Sequence, residues 1–273
     1  MTDTPFIAAL TDRAAISISG PDWRGFLQGL ITQDVETLEV GEARFAALLT
    51  PQGRLLFDLF LIGRKDGCLV DCQADRREAL IGRPSLYRLR AKVEIAPLEL
   101  TVGALWGANV ASPGWIADPR LPALGFRGYD APMPARALRV DRSAYEAHRL
   151  ALGVPGSDDF GDDKTYPIEA NFDLLGGIDF KKGCFIGQET TSRMKRRGQI
   201  KTRMALIAFE GDAPAAGAEL LADDLRAGEV LSGGVGSAMA ALRLDRAEGE
   251  PRRMADGRAW RPVWPAWMTV PSV

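Results

Sequence analysis

The sequence predicts an α+β fold in two parts, a mixed α/β body over residues 1–200 and a small antiparallel β-domain over residues 201–273. Three observations lead to it. Helical and strand-like periodicities alternate through the first half of the chain. Beyond Ile200, short strand-like runs between glycine-containing turns take over. The length of 273 residues suits two ordinary domains better than one small core.

The elements follow in order. Pro21 and Asp22 offer an N-cap, and Trp23, Phe26, Leu27, Leu30 and Ile31 then recur at helical spacing, giving one apolar stripe. Residues 43–50 and 54–62 are apolar runs separated by Thr50-Pro51-Gln52-Gly53, a hairpin signal. Residues 68–72 read as a further strand, and Asp75-Arg76-Arg77-Glu78 as a helix start of capping-box type. Gly82 and Pro84 should break or kink that helix before Leu86. Residues 92–100 and 101–106 look extended, and 107–136, rich in Pro, Gly and Ala, should form loops and short strands. Ser143 and Glu146 have capping-box spacing, Gly153 can close that helix, and 153–164 should be a surface loop. Past Ile200, residues 204–209, 219–221, 229–231 and 239–244 are strand candidates for a small barrel or sandwich. Ser232-Gly233-Gly234-Val235-Gly236 reads as a turn, because no Walker lysine or dinucleotide glycine pattern accompanies it.

Composition narrows the function. With 46% hydrophobic and 26% charged residues the chain is ordinary for a globular protein. A formal net charge of −2 gives no overall cationic field for DNA or an anionic membrane. There is one histidine, His148, and there are three cysteines, Cys68, Cys72 and Cys184, so a histidine-rich zinc site, a disulfide scaffold or a triad built away from His148 is poorly supported. Three thiols in a chain of this length suggest a reducing compartment, most simply the cytoplasm. The N-terminus lacks the charge and apolar core of a signal peptide, and no run reaches membrane-span length, so a soluble protein is expected.

The most informative segment is Lys181-Lys182-Gly183-Cys184-Phe185-Ile186-Gly187-Gln188-Glu189. Two lysines precede the cysteine and a helix-capable stretch follows it, and both positive charge and helix N-terminal amides favour thiolate over thiol. Cys184 is therefore either a nucleophile or metal ligand, or a buried structural cysteine. Cys68 and Cys72 share a strand face with Val70 and read as core, although with Cys184 they could in principle form three corners of an iron–sulfur cluster. His148 reads as a half-buried or capping histidine. Between Arg193 and Arg203 stand Arg193, Lys195, Arg196, Arg197, Lys201 and Arg203 with no acidic residue, either a solvated helix face or a site for a carboxylate tail, a phosphate or RNA. The absence of interleaved aromatics weakens RNA binding.

The octapeptide from Lys182 to Glu189 resembles the signature of the YgfZ family, folate-binding proteins related to the glycine-cleavage T-protein that serve maturation of iron–sulfur proteins. The likeness extends over most of residues 20–200. It includes Phe26-Leu27-Gln28-Gly29-Leu30-Ile31-Thr32-Gln33-Asp34-Val35, Gln52-Gly53-Arg54-Leu55-Leu56-Phe57-Asp58 and Tyr87-Arg88-Leu89-Arg90-Ala91-Lys92-Val93. It continues in Tyr145-Glu146-Ala147-His148-Arg149, in Leu152-Gly153-Val154-Pro155 and in Glu169-Ala170-Asn171-Phe172-Asp173. The resemblance implies a T-protein-like fold, a split ferredoxin-like α/β body around a central pocket with a C-terminal β-barrel. It implies tetrahydrofolate, or a derivative, in that pocket, with Asp58, Glu169 and Asn171 on the pterin side and Lys182, Gln188, Glu189 and Arg193 as further cofactor-binding candidates. The basic stretch would suit the anionic glutamate tail of folate. T-proteins carry paired acids where this chain has Phe57 and Asp58, and they lack the cysteine motif. The implied role is thus an accessory factor in iron–sulfur assembly or repair that acts through Cys184. It would be no classical enzyme, would hold no stable metal of its own, and would work as a monomer with assembly or client proteins. The alternatives are a tetrahydrofolate-dependent one-carbon transferase, with Asp58 as the surviving acid, and an RNA-binding factor linked to tRNA modification.

Overall fold

The computed structural model describes residues 4–85, 87–88, 90–107, 112–161, 163–198 and 200–268. Leu86, just past the expected break of the second helix, and Leu89 of the third motif lie outside the described residues. The chain divides into two compact units, one of Met1–Tyr145 with Leu175–Gln188, the other of Glu146–Leu174 with Glu189–Val273.

The first unit holds two five-stranded sheets. In chain order its elements are β1 (Phe6–Ala9), β2 (Arg13–Ser19), α1 (Trp23–Gln28), β3 (Ala43–Leu49), β4 (Leu55–Arg64), β5 (Gly67–Gln73) and α2 (Arg77–Ser85). They continue with β6 (Glu94–Leu98), β7 (Val102–Trp106), β8 (Trp115–Ala117), β9 (Phe126–Tyr129), β10 (Leu138–Arg139) and the start of α3 (Arg142–Ala151). One sheet runs β3-β4-β5-β2-β6, antiparallel throughout; the other runs β10-β1-β7-β9-β8, with β1 and β10 parallel. The expected hairpin is present as β3 and β4, joined through residues 50–54. The stripe from Trp23 to Ile31 buries against Ile16, Leu48, Leu59, Cys68, Val70 and Leu80. Cys68 and Cys72 are buried on the same face of β5 as Val70, as alternation along a strand demands.

Two local expectations come out differently. Asp22 makes no side-chain cap to α1; its carboxylate accepts the Lys92 N–H at 2.7 Å and pins the approach to β6 instead. α2, by contrast, ends at Ser85, as Gly82 and Pro84 predict. α3 starts at Arg142, which puts Ser143 inside the helix and not at its cap. Gly153 does close it, at φ +69°, donating its N–H to the Leu150 carbonyl.

A buried ion network ties the two sheets of this unit together. Arg13 of β2 donates to Asp58 of β4 at 2.8 Å and to Asp71 of β5 at 2.7 Å. Asp71 also accepts from Arg127 at 2.7 Å and from the Tyr129 hydroxyl at 3.0 Å, both on β9 of the other sheet. Asp118, paired with Arg120 at 2.8 Å, adds the third acid, and the Arg127 guanidinium lies 3.7 Å from the centre of the Phe60 ring. Burial alone would raise the Asp71 carboxyl, but Arg127 and Arg13 outweigh it and hold it below the usual carboxylate range.

The second unit is built on six strands: β11 (Thr202–Phe209), β12 (Glu219–Ala222), β13 (Leu225–Gly234), β14 (Ser237–Arg243), β15 (Arg252–Met254) and β16 (Trp260–Val263). Their order is β15-β12-β13-β14-β11-β16, and a bridge between Arg253 and Ala259 links the two ends into a nearly closed barrel. The four strands read from the sequence are all there. Alanines at 205, 222, 227, 238 and 240 fill the interior together with Ile207, Leu220, Val230, Leu242, Met254 and Trp260, small residues suited to a narrow barrel. Ser232 to Gly236 spans the β13–β14 turn.

Candidate functional site

Polar residues just beyond the apolar stripe of α1 build the support for Cys184. The Thr32 hydroxyl, fully buried, donates to the Gly177 carbonyl at 2.6 Å and accepts the Ala47 N–H at 2.7 Å. The Gln33 amide donates to the Gly176 carbonyl at 2.6 Å, and the Asp179 N–H to the Thr32 carbonyl at 3.0 Å. Gln28 and Asp34 brace the same turn: the Gln28 amide donates to Asp34 at 2.8 Å and accepts the Val35 N–H at 2.9 Å. The stretch from Gly176 to Asp179 is thereby fixed to β3 and to the end of α1.

Lys182 makes the decisive attachment. Its ammonium donates to three backbone carbonyls, those of Gln28 at 2.8 Å, Ile31 at 2.7 Å and Gln33 at 2.8 Å. Three donors meet three acceptors: the carbonyl of Gln28, the last residue of α1, which lacks an intrahelical partner, and two from the segment that follows it. Burial nevertheless pulls this amine down to about 8, against the nearby carboxylates of Asp34 and Asp179. Beyond the cysteine the loop is fixed again. The Ile186 N–H donates to the Gly29 carbonyl at 3.2 Å, and Phe185 is buried with its N–H 3.3 Å from the Gln188 side-chain oxygen. Gly187 sits at φ +80° so close to the β3–β4 turn that a Cβ would lie 2.7 Å from the Thr50 oxygen and 2.9 Å from Gly53 Cα. Only glycine fits there.

Cys184 stands between these two anchorages as an exposed free thiol, while Cys68 and Cys72 are free but buried. Burial pushes both of the latter up to about 12, leaving them protonated and inert. The buried reading of Cys184 is thus not realised. Among the described residues no three His, Cys, Asp or Glu side chains lie close enough together to hold a metal ion.

The other candidate residues have these settings. In the first unit, Asp58 is buried on Arg13, Lys182 is committed to its three carbonyls, and Gln188 starts α4 (Gln188–Arg197). In the second unit, Asn171 is fully buried at φ +61°; it donates to the Met204 carbonyl at 2.7 Å and accepts from Arg203 at 3.0 Å. Arg203 also clasps the Asp173 carboxylate through two nitrogens at 2.9 Å each, while its buried Nε has no hydrogen-bond partner among the described residues. Glu169 is half-buried and accepts the Tyr166 N–H at 3.0 Å. Glu189 and Arg193, four residues apart on α4, are exposed on one face with Arg196 and Arg197 near the helix end. His148 is half-buried in the last turn of α3. Sequence reasoning did not find the supports, Thr32, Gln33 and the Arg13–Asp71–Arg127 network. The one signal for the first two was four polar residues, Gln28, Thr32, Gln33 and Asp34, in and just after an apolar helical stripe.

Comparison with known proteins places this arrangement. The structure of an aminomethyltransferase of the glycine cleavage system, the T-protein, from Bartonella henselae superimposes with a TM-score of 0.76 over 95% of this chain and 85% of that one, at 18% identity. The fold is therefore T-protein-like, as expected. Residues 201–270 match the family model described as the CAF17 C-terminal beta-barrel domain. The iron–sulfur cluster assembly factor IBA57 of Homo sapiens, named as mitochondrial, is 31% identical over 240 residues, covering 76% of this chain and 67% of that protein. The IBA57 homolog of Mycosarcoma maydis, also named as mitochondrial, is 32% identical over 229 residues, 74% of this chain. The chain belongs to the IBA57 family of iron–sulfur cluster assembly factors, a branch related to but distinct from YgfZ. It spans 57% of the length of the fungal relative. The mitochondrial names of these relatives overturn the cytoplasmic expectation. Free thiols report a reducing compartment, not which one it is. No helix among the described residues is long and apolar enough to cross a membrane.

Proposed function

We propose that this chain is an accessory factor of iron–sulfur cluster assembly or repair in which Cys184 is the exchange point, a transient ligand to a cluster shared with an assembly or client protein. The observation that carries the reading is the setting of Cys184: an exposed thiol at the apex of a loop held on one side by Lys182 and on the other by Ile186 and Gly187. A single thiol cannot retain a cluster alone, which suits release as well as capture. On binding iron the thiol gives its proton to solvent, and on release it takes one back. The family of assembly factors supports the same role.

A reduced folate is the proposed cofactor, on the strength of the resemblance to the YgfZ motifs. The residues carried over for it divide. Asp58 and Asn171 already serve Arg13, Arg203 and Met204, each within its own unit, so they suit a structural role better than holding a pterin directly. Glu169 and the exposed Arg193 have the chemistry for a pterin N–H and a glutamate carboxylate respectively. The pairing of Asp58 with Arg13 also suits a structural acid better than the general acid of a one-carbon transferase.

One experiment with two readouts tests the proposal. Cells lacking their own copy are supplied with wild type or Cys184→Ser, and both proteins are titrated with tetrahydrofolate by fluorescence. The variant should bind folate as well as wild type yet fail to restore iron–sulfur enzyme activity. Full restoration by Cys184→Ser would refute the role of the thiol, and no folate binding by wild type would remove the cofactor.

A further inference from the structure

A groove of about 700 Å³ opens on the first unit beside the Cys184 loop. Its floor is Leu30, buried, with Phe26 and Ile186, both half-buried; Ile186 is only two residues beyond Cys184. Gly25 and Gly29, four apart on α1 and its end, also line it and have nothing within 4 Å of where a Cβ would stand, so another chain could approach the backbone closely. Tyr87, 40% exposed, lines it as well, with Arg88 and Arg90, both exposed.

The charge of this groove is one-sided. Neither Arg88 nor Arg90 has an acidic partner among the described residues; Arg88 makes one long bond of 3.4 Å to the Val93 carbonyl. The one acid at the rim, Asp22, spends its carboxylate on the Lys92 N–H. An apolar floor flanked by a tyrosine and two unpaired guanidiniums is the complement of a segment with an apolar anchor and acidic flanks. Nucleic acid would want a run of cations and successive stacking faces, which Leu30, Ile186 and two glycines do not offer.

We infer that this groove docks an acidic amphipathic segment of a partner protein and so brings that partner to Cys184. That the partner carries or accepts a cluster rests on the proposed function; the binding itself does not.

The probe is a short fluorescein-labelled amphipathic peptide with Leu and Phe on one face and Glu on the other, followed by anisotropy on the full chain. Its counterpart has Gln in place of every Glu, and labelled oligouridine tests the nucleic-acid class. The Glu peptide should bind saturably, and Arg88→Glu with Arg90→Glu should weaken it about tenfold or more, as charge reversal at a complementary surface does. The Gln peptide should bind more weakly than the Glu peptide, and Cys184→Ser should bind like wild type. Both arginines are exposed, so the variants keep the fold, and unchanged alkylation of Cys184 checks this. Absence of saturable peptide binding, equal affinity for the Glu and Gln peptides, indifference to charge reversal, or tighter binding of oligouridine would each overturn the inference. Since no cluster or thiol enters the assay, its failure leaves the role of Cys184 standing, and failure of Cys184→Ser to lose function leaves the groove standing.

Discussion

Chemistry at the residue scale separates three cysteines that composition alone treats alike. Cys68 and Cys72 are buried on β5 and raised from 9.0 to about 12, whereas Cys184 is exposed. Iodoacetamide below pH 9 should therefore label Cys184 alone in the native protein, read by peptide mass spectrometry. The two raised thiols also give stability a pH dependence. Between pH 9 and 12 the unfolded chain releases protons that the native state keeps, so their contribution, full below pH 9, is lost as pH rises. The difference in urea midpoint between wild type and Cys68→Ala/Cys72→Ala should shrink across that window; a constant difference would count against it. Asp71 is the counterpart among charged residues. Asp71→Asn removes the shared partner of Arg13 and Arg127 while leaving both guanidiniums buried, and should cost about 3–5 kcal/mol in denaturant unfolding.

The loop around Cys184 shows how elements, not single residues, make the site. Lys182 fastens one side to carbonyls at the end of α1 and in the segment after it, and Gly187 lets the other side press against the β3–β4 turn. Lys182→Met should cost about 1.5–3 kcal/mol, the worth of hydrogen bonds to a charged group, and speed amide exchange at Phe185 and Ile186. Gly187→Ala should cost about 1–3 kcal/mol from the left-handed backbone it strains, with more from the clash at Thr50. Native-like exchange in Lys182→Met would show that the strap is ornamental. Before the structure, Lys182 was legible only as a positive charge near a thiol. That its ammonium turns inward depends on carbonyls some 150 positions away in sequence, which no local pattern reports. β3 and β4 are legible as continuous apolar runs on either side of a turn, because both strands are buried on both faces, and the barrel strands as short runs between glycine-containing turns. β1 and β2 are not legible: in β2 only Ile16 and Ile18 are bulky and β-branched, set among alanines and serines.

Viewed whole, the molecule pairs a unit of two sheets, braced by an internal ion network, with a second unit built on an alanine-filled barrel. The change of character at Ile200 is where the barrel begins, because short strands around a narrow interior need small residues and frequent turns. The motif resemblance reached the T-protein-like fold and an iron–sulfur role, while the branch of the family came only from the relatives, whose mitochondrial names also overturn the cytoplasmic expectation. Residue types placed the thiol; the structure explains why it is presented. A carrier protein loaded with a labile iron–sulfur cluster, mixed anaerobically with this chain, tests the exchange role of Cys184 most directly. Wild type and Cys68→Ala should both perturb the visible charge-transfer bands of the cluster on mixing, and Cys184→Ser should leave them unchanged. Bands that shift equally with Cys184→Ser would contradict the account.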